Sequence, residues 1–195
     1  MSTQPGRPGR KRSEESRRAI LAAAAELTAE VGYASLTIEG IAARSGAGKQ
    51  TIYRWWPSKA DVLLDSLATK ADVHIPIPDE GAYEADLRAF LAATFTLGSR
   101  PQVVQLLRAL MAEAQINAEF GERFRETFLR QRRAALGAIV ERAEARGELP
   151  PDLTPETAVD LVFGVLWYRI LAAHRPVDQA LIDELITVLT ARRQR

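Results

Sequence analysis

Ile20, Ala24, Leu27 and Val31 stand four, three and four residues apart, which lays one apolar stripe along an α-helix, and this pattern most limits what the chain can become. No stretch shows clean period-two alternation with β-branched residues, and no Asn-Gly or Asp-Gly pair offers a hairpin turn. The 32 alanines, with plentiful Leu, Arg and Glu, favour helix along the whole chain. The fold is therefore read as all-α. With 195 residues, 47% of them hydrophobic, there is material for one ordinary domain or a small domain joined to a larger one, and too much apolar content for disorder over most of the length.

Glycine and proline divide the helices. Ser13, followed by Glu14 and Glu15, is expected to cap the first helix after a flexible basic arm over residues 1–12, and Gly32 to stop it. Thr37 caps a short helix with Ile38, Ile41 and Ala42 inward, ending before Gly46, and a second short helix runs from about Gly48 to Trp56. Pro57-Ser58-Lys59-Ala60-Asp61 starts the next, with Ser58 as N-cap and Asp61 completing a variant capping box; it carries Val62, Leu63 and Leu67 to about Val73. Pro76 and Pro78 force extended backbone after His74, so a domain over 13–73 is expected to give way to a second over 79–195. Five helices are expected in the second, over about 82–97, 101–115, 118–146, 155–174 and 178–192, for about nine in all.

Composition excludes much chemistry. There is no cysteine, so disulfides, Cys-ligated zinc and thiol catalysis drop out. His74 and His174 are the two histidines, and no G-x-S-x-G, H-E-x-x-H or phosphate-cradling glycine loop occurs, so neither an enzyme nor a bound cofactor or metal is expected. The basic start lacks a following apolar run, and the longest apolar stretch, Leu161 to Tyr168, falls far short of the ~20 residues a bilayer needs. A cytoplasmic protein without membrane contact is expected. Lys plus Arg number 26 against 25 Asp plus Glu, a net of +1, but residues 1–59 hold 10 cations against 5 acids while the remainder holds 16 against 20. A basic end on an acidic body directs that end at a polyanion.

Residues 37–59 read T-I-E-G-I-A-A-R-S-G-A-G-K-Q-T-I-Y-R-W-W-P-S-K: a short helix, a glycine turn, then a second short helix rich in polar side chains, the layout of a helix-turn-helix. Ile38, Ile41, Ile52 and Trp56 are positioned to hold both helices against the first, leaving Lys49, Gln50, Thr51, Tyr53 and Arg54 outward. A helix entering the major groove needs long donors for base edges and hydroxyls or cations for phosphates, and this face supplies both. Trp55 and Trp56 are adjacent and cannot share a face, so Trp56 is read as core and Trp55 as partly exposed at the phosphate backbone. The arm Gly6 to Arg12 suits an A·T-rich minor groove or a solvated tail alike.

The block from Glu14 to Val73 resembles the TetR (tetracycline-repressor-like) family, above all in Thr37, Ile41-Ala42, Gly46-Ala47-Gly48-Lys49, Thr51-Ile52-Tyr53 and Trp56-Pro57-Ser58-Lys59 with their spacing. The resemblance covers about a third of the chain, and beyond it only helix number and length agree. It implies an N-terminal three-helix DNA-binding domain, a C-terminal helical bundle for ligand binding and dimerisation, and a homodimer on a palindromic operator, released by a small-molecule effector. It implies that Thr37 caps the second helix and touches phosphate, that Arg44 and Lys49 reach phosphate or base, and that Gln50 sits at a variable base-reading position. By the same resemblance Thr51 and Tyr53 contact phosphate, Arg54 base or phosphate, and Lys59 phosphate at the start of helix four. Two positions depart from the pattern: Gly48 replaces the usual serine N-cap, and Gly40, with Glu39 one earlier, replaces an acidic residue three after Thr37.

In the second domain Phe95, Met111, Phe124, Phe128, Phe163 and Trp167 lie on helices that the family uses to line its cavity, with Arg108, Arg169 and His174 as polar candidates. Val159 to Leu171 is apolar almost all round, and Leu181, Ile182, Leu185, Ile186, Val188 and Leu189 make the last helix wider than one stripe. Such helices are covered on more than one face, either centrally in the domain or by a second chain, and a homodimer through about 155–174 and 178–192 is expected. The mechanism would be a population shift in which the effector favours a swung helix four, taking the two recognition helices off successive major grooves about 34 Å apart. The alternative is a ligand-independent regulator whose second domain only dimerises; an enclosed apolar cavity favours the first, a packed core the second. An enzyme built on the same fold has no motif behind it.

Overall fold

The computed structural model describes residues 8–69 and 77–191, and the chain divides into two compact units, Met1–Lys70 and Ala71–Arg195. All regular structure among the described residues is helical. In the first unit α1 spans Pro8–Ser35, α2 Ile38–Ser45, α3 Lys49–Trp55 and α4 Lys59–Thr69. The second holds α5 (Tyr83–Gly98), α6 (Pro101–Ile116), α7 (Ala118–Phe124), α8 (Arg130–Ala145), α9 (Pro155–Trp167) and α10 (Gln179–Thr190). A π-helical segment, Arg125–Leu129, joins α7 to α8 with helical backbone at both joints, making one rod where one helix over 118–146 is expected. A second π segment, Tyr168–Ala173, extends α9 to His174, whose left-handed backbone ends it. The described residues thus form nine helical rods.

The first helix starts earlier than its Ser13 signal. Pro8 opens α1, because proline presets the helical φ and its missing N–H is one that a first turn leaves unbonded anyway. Residues 1–7 of the expected arm lie outside the described residues, as do residues 70–76 with His74. Gly32 does interrupt the helix, at φ 77, a conformation side-chain-bearing residues rarely adopt. Val31, expected inward, is half exposed; the chain turns at Gly32 and Leu36 enters the core instead. The carbonyls freed by this ending are collected by Lys59, whose ammonium donates to Tyr33 at 2.9 Å and Leu36 at 2.8 Å and lies 4.5 Å from the Tyr33 ring centroid.

Ile20, Ala24, Ile41, Ile52, Val62 and Leu63 form the centre of the first unit's core. One carboxylate fixes its edges. Asp65 on α4 accepts both oxygens' worth of bonds from Arg17 on α1, at 2.6 and 2.7 Å, and a third from the Trp56 indole N–H at 3.0 Å, just past α3. At the start of α4 the Ser58 hydroxyl accepts from the Asp61 amide at 3.3 Å and donates to the Asp61 carboxylate at 2.7 Å, so the expected box closes through the hydroxyl. Asp65→Ala leaves a guanidinium and an indole N–H without this acceptor and should cost about 1–3 kcal/mol in urea unfolding followed by tryptophan fluorescence. Asp65→Asn, which keeps an oxygen for the indole, should cost less.

In the second unit Leu87, Phe90, Leu136, Val162, Leu181 and Leu185 belong to one core. Its polar anchor is Asp86, fully buried on α5, which accepts from the Glu80 amide, from Arg142 at 3.2 Å and from Arg146 at 3.4 Å. Arg142 also donates to the Pro78 carbonyl, pinning the extended segment that enters α5. Desolvation alone would raise the Asp86 pKa; the Glu80 amide and the two guanidinium groups outweigh it and hold the carboxyl below its ordinary 3.8. A depressed folded pKa stabilises fully above the unfolded value and fades as pH falls through the folded one. Asp86→Asn should therefore destabilise the second unit by about 1–3 kcal/mol at pH 7, and urea titrations below pH 3 should show the gap to the parent chain narrowing.

Candidate DNA interface and ligand cavity

Thr37 has extended backbone and its hydroxyl accepts from the Gly40 amide at 3.0 Å, capping α2. A Cβ on Gly40 would stand 3.3 Å from that hydroxyl, so the missing side chain leaves the cap room. Glu39, the acid displaced by one position, pairs instead with Lys49 at 2.8 Å across the turn, and this bond holds its carboxyl below the usual range. Gly46, at φ 70, ends α2, and Gly48 precedes α3 in extended conformation without a side-chain cap. A Cβ on Gly48 would lie 3.9 Å from the Thr51 hydroxyl, an ordinary contact, so serine fits there without strain.

α3 has only seven residues, and burial of Ile52 and of Trp56 just beyond it fixes its rotation. Lys49, Gln50, Tyr53 and Arg54 consequently stand exposed on the other side, with Tyr53 53% exposed, while Thr51 and Trp55 are half-buried. Trp55 meets Trp56 edge-on at 5.4 Å, and the Arg54 guanidinium lies 5.5 Å from the Trp55 centroid. Arg44, at the end of α2, makes a two-pronged pair with Glu30 at 2.8 and 2.9 Å and approaches Glu26 at 3.6 Å. The structure thus places Thr37 at the cap of α2 and Arg44, Gly48, Lys49, Gln50, Thr51, Tyr53, Arg54 and Trp55 on α2, α3 and the turn between them, whereas the Lys59 ammonium points into the unit's own carbonyls.

The second unit contains an apolar cavity of about 360 Å³. Phe128 and Leu129 from one π segment, Ile170 from the other, and Phe163 and Trp167 from α9 form much of its wall. π-Helical turns displace one residue outward relative to an α-helix and recur at functional sites. The Ile170 carbonyl is held by the Arg108 Nε at 2.7 Å. Phe95, Met111 and Phe124 are not in this wall: Phe95 belongs to the core, and Phe124 is stacked between Phe120 at 6.0 Å and Phe128 at 5.3 Å. Arg169 donates to the Pro176 carbonyl at 3.0 Å and approaches Glu184 at 3.4 Å, and exposed His174 lies 3.2 Å from the Leu171 carbonyl.

Sequence reasoning missed the polar groups that do face the cavity: Thr94, Arg132, Arg133 and Asp160. Arg133 and Asp160 pair at 2.6 Å, both partly exposed. Arg132 lays its guanidinium 3.7 Å from the Phe128 centroid, and desolvation there brings its pKa down to about 10. The signal was present, since Phe120, Phe124, Phe128 and Arg132 are spaced by four and share one helix stripe.

Comparison with known proteins matches residues 20–65 to "Bacterial regulatory proteins, tetR family" and residues 77–189, more than half the chain, to "Tetracyclin repressor-like, C-terminal domain". The chain is 34% identical over 188 residues to the uncharacterized HTH-type transcriptional regulator YdeS of Bacillus subtilis, covering 95% of this chain and 92% of that one. It is 29% identical to the DNA-binding transcriptional repressor TetR of Mycobacteroides abscessus, over 90% and 92% of the two chains. Among solved structures, the TetR family transcription regulator SCO0332 superposes with TM-score 0.73 at 34% identity, over 89% of this chain and 95% of that one. FadR of Bacillus subtilis, solved with stearoyl-CoA, shares the fold with TM-score 0.69 at 20% identity, over 91% and 99%.

Proposed function

The chain belongs to the TetR family of bacterial regulatory proteins and is a transcriptional regulator rather than an enzyme, and on that premise we propose that it is a homodimeric repressor that releases a palindromic operator when a small molecule fills its second unit. The observation that carries this reading is the pairing of two features in one chain: an α3 face of exposed donors, and a separate unit with an apolar cavity of about 360 Å³. A second unit that served only to dimerise would have no need of such a cavity. Repression is favoured by the Mycobacteroides abscessus relative, and FadR illustrates a protein of this fold in complex with a small molecule. The site of action is the bacterial cytoplasm. The effector acts by population shift, binding the operator-incompetent conformation better than the competent one.

On DNA the acid partners of the reading face exchange for phosphate. Lys49 leaves Glu39 and Arg44 leaves Glu30, while Gln50 and Arg54 remain for base edges and Tyr53 for the backbone. Sequencing of duplexes selected from a randomised pool at near-physiological salt should recover a palindrome. Lys49→Ala combined with Tyr53→Ala should abolish its recovery. Glu39→Gln, which removes a competing carboxylate, should tighten binding to all duplexes by roughly two- to tenfold, with no change in the preferred sequence. Enrichment of no sequence, or of an asymmetric site alone, would count against the two-fold reading.

The dimer face is narrower than apolarity of the last two helices suggests. Leu181, Ile182, Leu185, Ile186 and Leu189 are buried within the chain's own core, so Leu185→Arg would test folding rather than association. The large apolar residues left exposed on α9, the π segment that continues it and α10 are Leu161, Tyr168 and Val188, at 39%, 65% and 62% exposure, and Leu161 and Val188 share a groove with Pro151 and Leu153. Leu161 and Tyr168, seven apart, lie on one stripe. Tyr168→Glu with Val188→Arg should yield a folded monomer by light scattering and weaken binding to the selected palindrome by at least about tenfold. A variant that stays dimeric would move the interface elsewhere.

A further inference from the structure

Five threonines within the helical rods, Thr28, Thr96, Thr127, Thr187 and Thr190, donate the hydroxyl proton to the carbonyl four residues earlier, at 2.7–2.8 Å. Thr94 on α5 does not. It is 5% exposed, it lines the cavity of the second unit, and its hydroxyl has no hydrogen-bond partner. A buried hydroxyl left unbonded is destabilising unless something completes it. Among the described residues two other buried side-chain atoms lack a partner, the Tyr83 hydroxyl and the Arg142 Nε, and neither residue is in the cavity wall.

The charged side chains of that wall are already engaged. Arg133 pairs with Asp160 at 2.6 Å, and Arg132 lies over the Phe128 ring, 3.7 Å from its centroid. Arg133 and Asp160 are both partly exposed, so their pair marks the solvent side of the cavity and Thr94 the buried side. An ionised group carried to the buried side would exchange its hydration for one neutral hydroxyl, which is unfavourable. An uncharged oxygen loses far less hydration and gains the proton that Thr94 has not donated.

We propose that the cavity takes an uncharged, largely apolar carbonyl compound whose oxygen enters first and accepts the proton of the Thr94 hydroxyl, so that Thr94 determines specificity. Phe128, Phe163 and Trp167 supply faces for rings in the rest of the ligand. The size is suitable, since drug-sized ligands occupy cavities of roughly 300–1,000 Å³. The assignment rests on the cavity being the effector site, and it names the chemical class of the effector. A site with one buried donor discriminates through that donor, because a ligand lacking the acceptor leaves it unbonded.

A matched pair of fluorescent probes tests this on the full chain: a propionyl-dimethylaminonaphthalene, which is a neutral ketone, and the propyl analogue in which a methylene replaces the carbonyl. Both should bind one site per chain. Thr94→Val should weaken the ketone by about five- to tenfold and leave the propyl analogue within about twofold, while Thr94→Ser keeps most of the ketone's affinity. Thr94→Val should also raise the Tm of the free chain, a combination that loss of structure would not give. The infrared carbonyl band of the bound ketone should lie lower in the parent chain than in Thr94→Val, because a donated hydrogen bond weakens the C=O bond. Gly164→Leu provides the control: a Cβ on Gly164 meets nothing within 4 Å and the residue lines the cavity, so leucine there should block both probes without unfolding. A ketone affinity or carbonyl band indifferent to Thr94→Val would overturn the Thr94 assignment and leave the cavity as a ligand site. Were the valine variant not to fold, a band in the parent chain at its frequency in dry alkane would overturn the assignment equally. Failure of both probes to bind, or their persistence in Gly164→Leu, would overturn the cavity as a ligand site altogether.

Discussion

Asp65 sits where three helices of the DNA-binding unit must agree. Its carboxylate on α4 takes Arg17 from α1 and the Trp56 indole from the residue that ends α3. A seven-residue helix has almost no stability by itself, since isolated helices below about 12–15 residues are marginal in water. α3 therefore inherits its orientation from what its inward residues touch. Ile52 is fully buried, and Trp56 is held both through its ring and through its N–H. The outward direction of Lys49, Gln50, Tyr53 and Arg54 follows from those two attachments. Lys59 does similar work at the opposite end, closing the carbonyls of the turn after Gly32 on which Leu36 and then the Thr37 cap depend. A lysine at the start of α4 thus serves the fold of the unit before any phosphate is considered.

The reading face is not a bare cationic surface. Arg44 and Lys49 are each paired with glutamates that are largely exposed. Pairs of this kind contribute little to stability, typically below about 1 kcal/mol, because water competes for both partners. Their effect on DNA binding is larger in kind than in size. On the proposed reading, a phosphate contact by Arg44 or Lys49 must first displace a carboxylate, so gross electrostatic attraction to arbitrary duplex is reduced while contacts to base edges are untouched. Non-specific affinity is mostly phosphate-driven, and a regulator gains discrimination when that component is weakened.

Local signals in the sequence carried the first unit almost entirely. Thr37, Gly46, Gly48 and the Pro57-Ser58 pair act through their own backbone geometry or a bond within three residues, so their consequences can be read without knowing the fold. The start of α1 was misplaced because Pro8 and Ser13 are both good openings and the earlier one also serves. In the second unit local rules give helix lengths but not which of several apolar faces turns inward. Leu181 and Leu185 look the same in sequence as Val188, yet two are core and one is exposed. For the same reason the polar candidates Arg108, Arg169 and His174 proved to be tied to backbone carbonyls or exposed, while Thr94 and Arg132 face the cavity. Only the four-residue spacing from Phe120 to Arg132 pointed inward, and an arginine at the end of an aromatic stripe is ordinarily read as its solvent limit.

The cavity itself follows from how its walls are made. Protein interiors pack as densely as organic crystals, so an apolar pocket of about 360 Å³ needs walls that do not close on it. Here the two π segments supply part of them: a π turn widens the helix and sets Phe128, Leu129 and Ile170 on backbone that regular α-helix would place differently. Arg108 braces the second segment through the Ile170 carbonyl. Holding such a space open forgoes dispersion contacts along the whole lining, and the unbonded Thr94 hydroxyl adds to that deficit. Under the proposed function, a ligand that fills the space restores both, and it does so only in the conformation where the cavity exists. Binding energy and conformational preference therefore arise from the same atoms, which is the physical requirement for a small molecule to shift an equilibrium rather than merely occupy a protein.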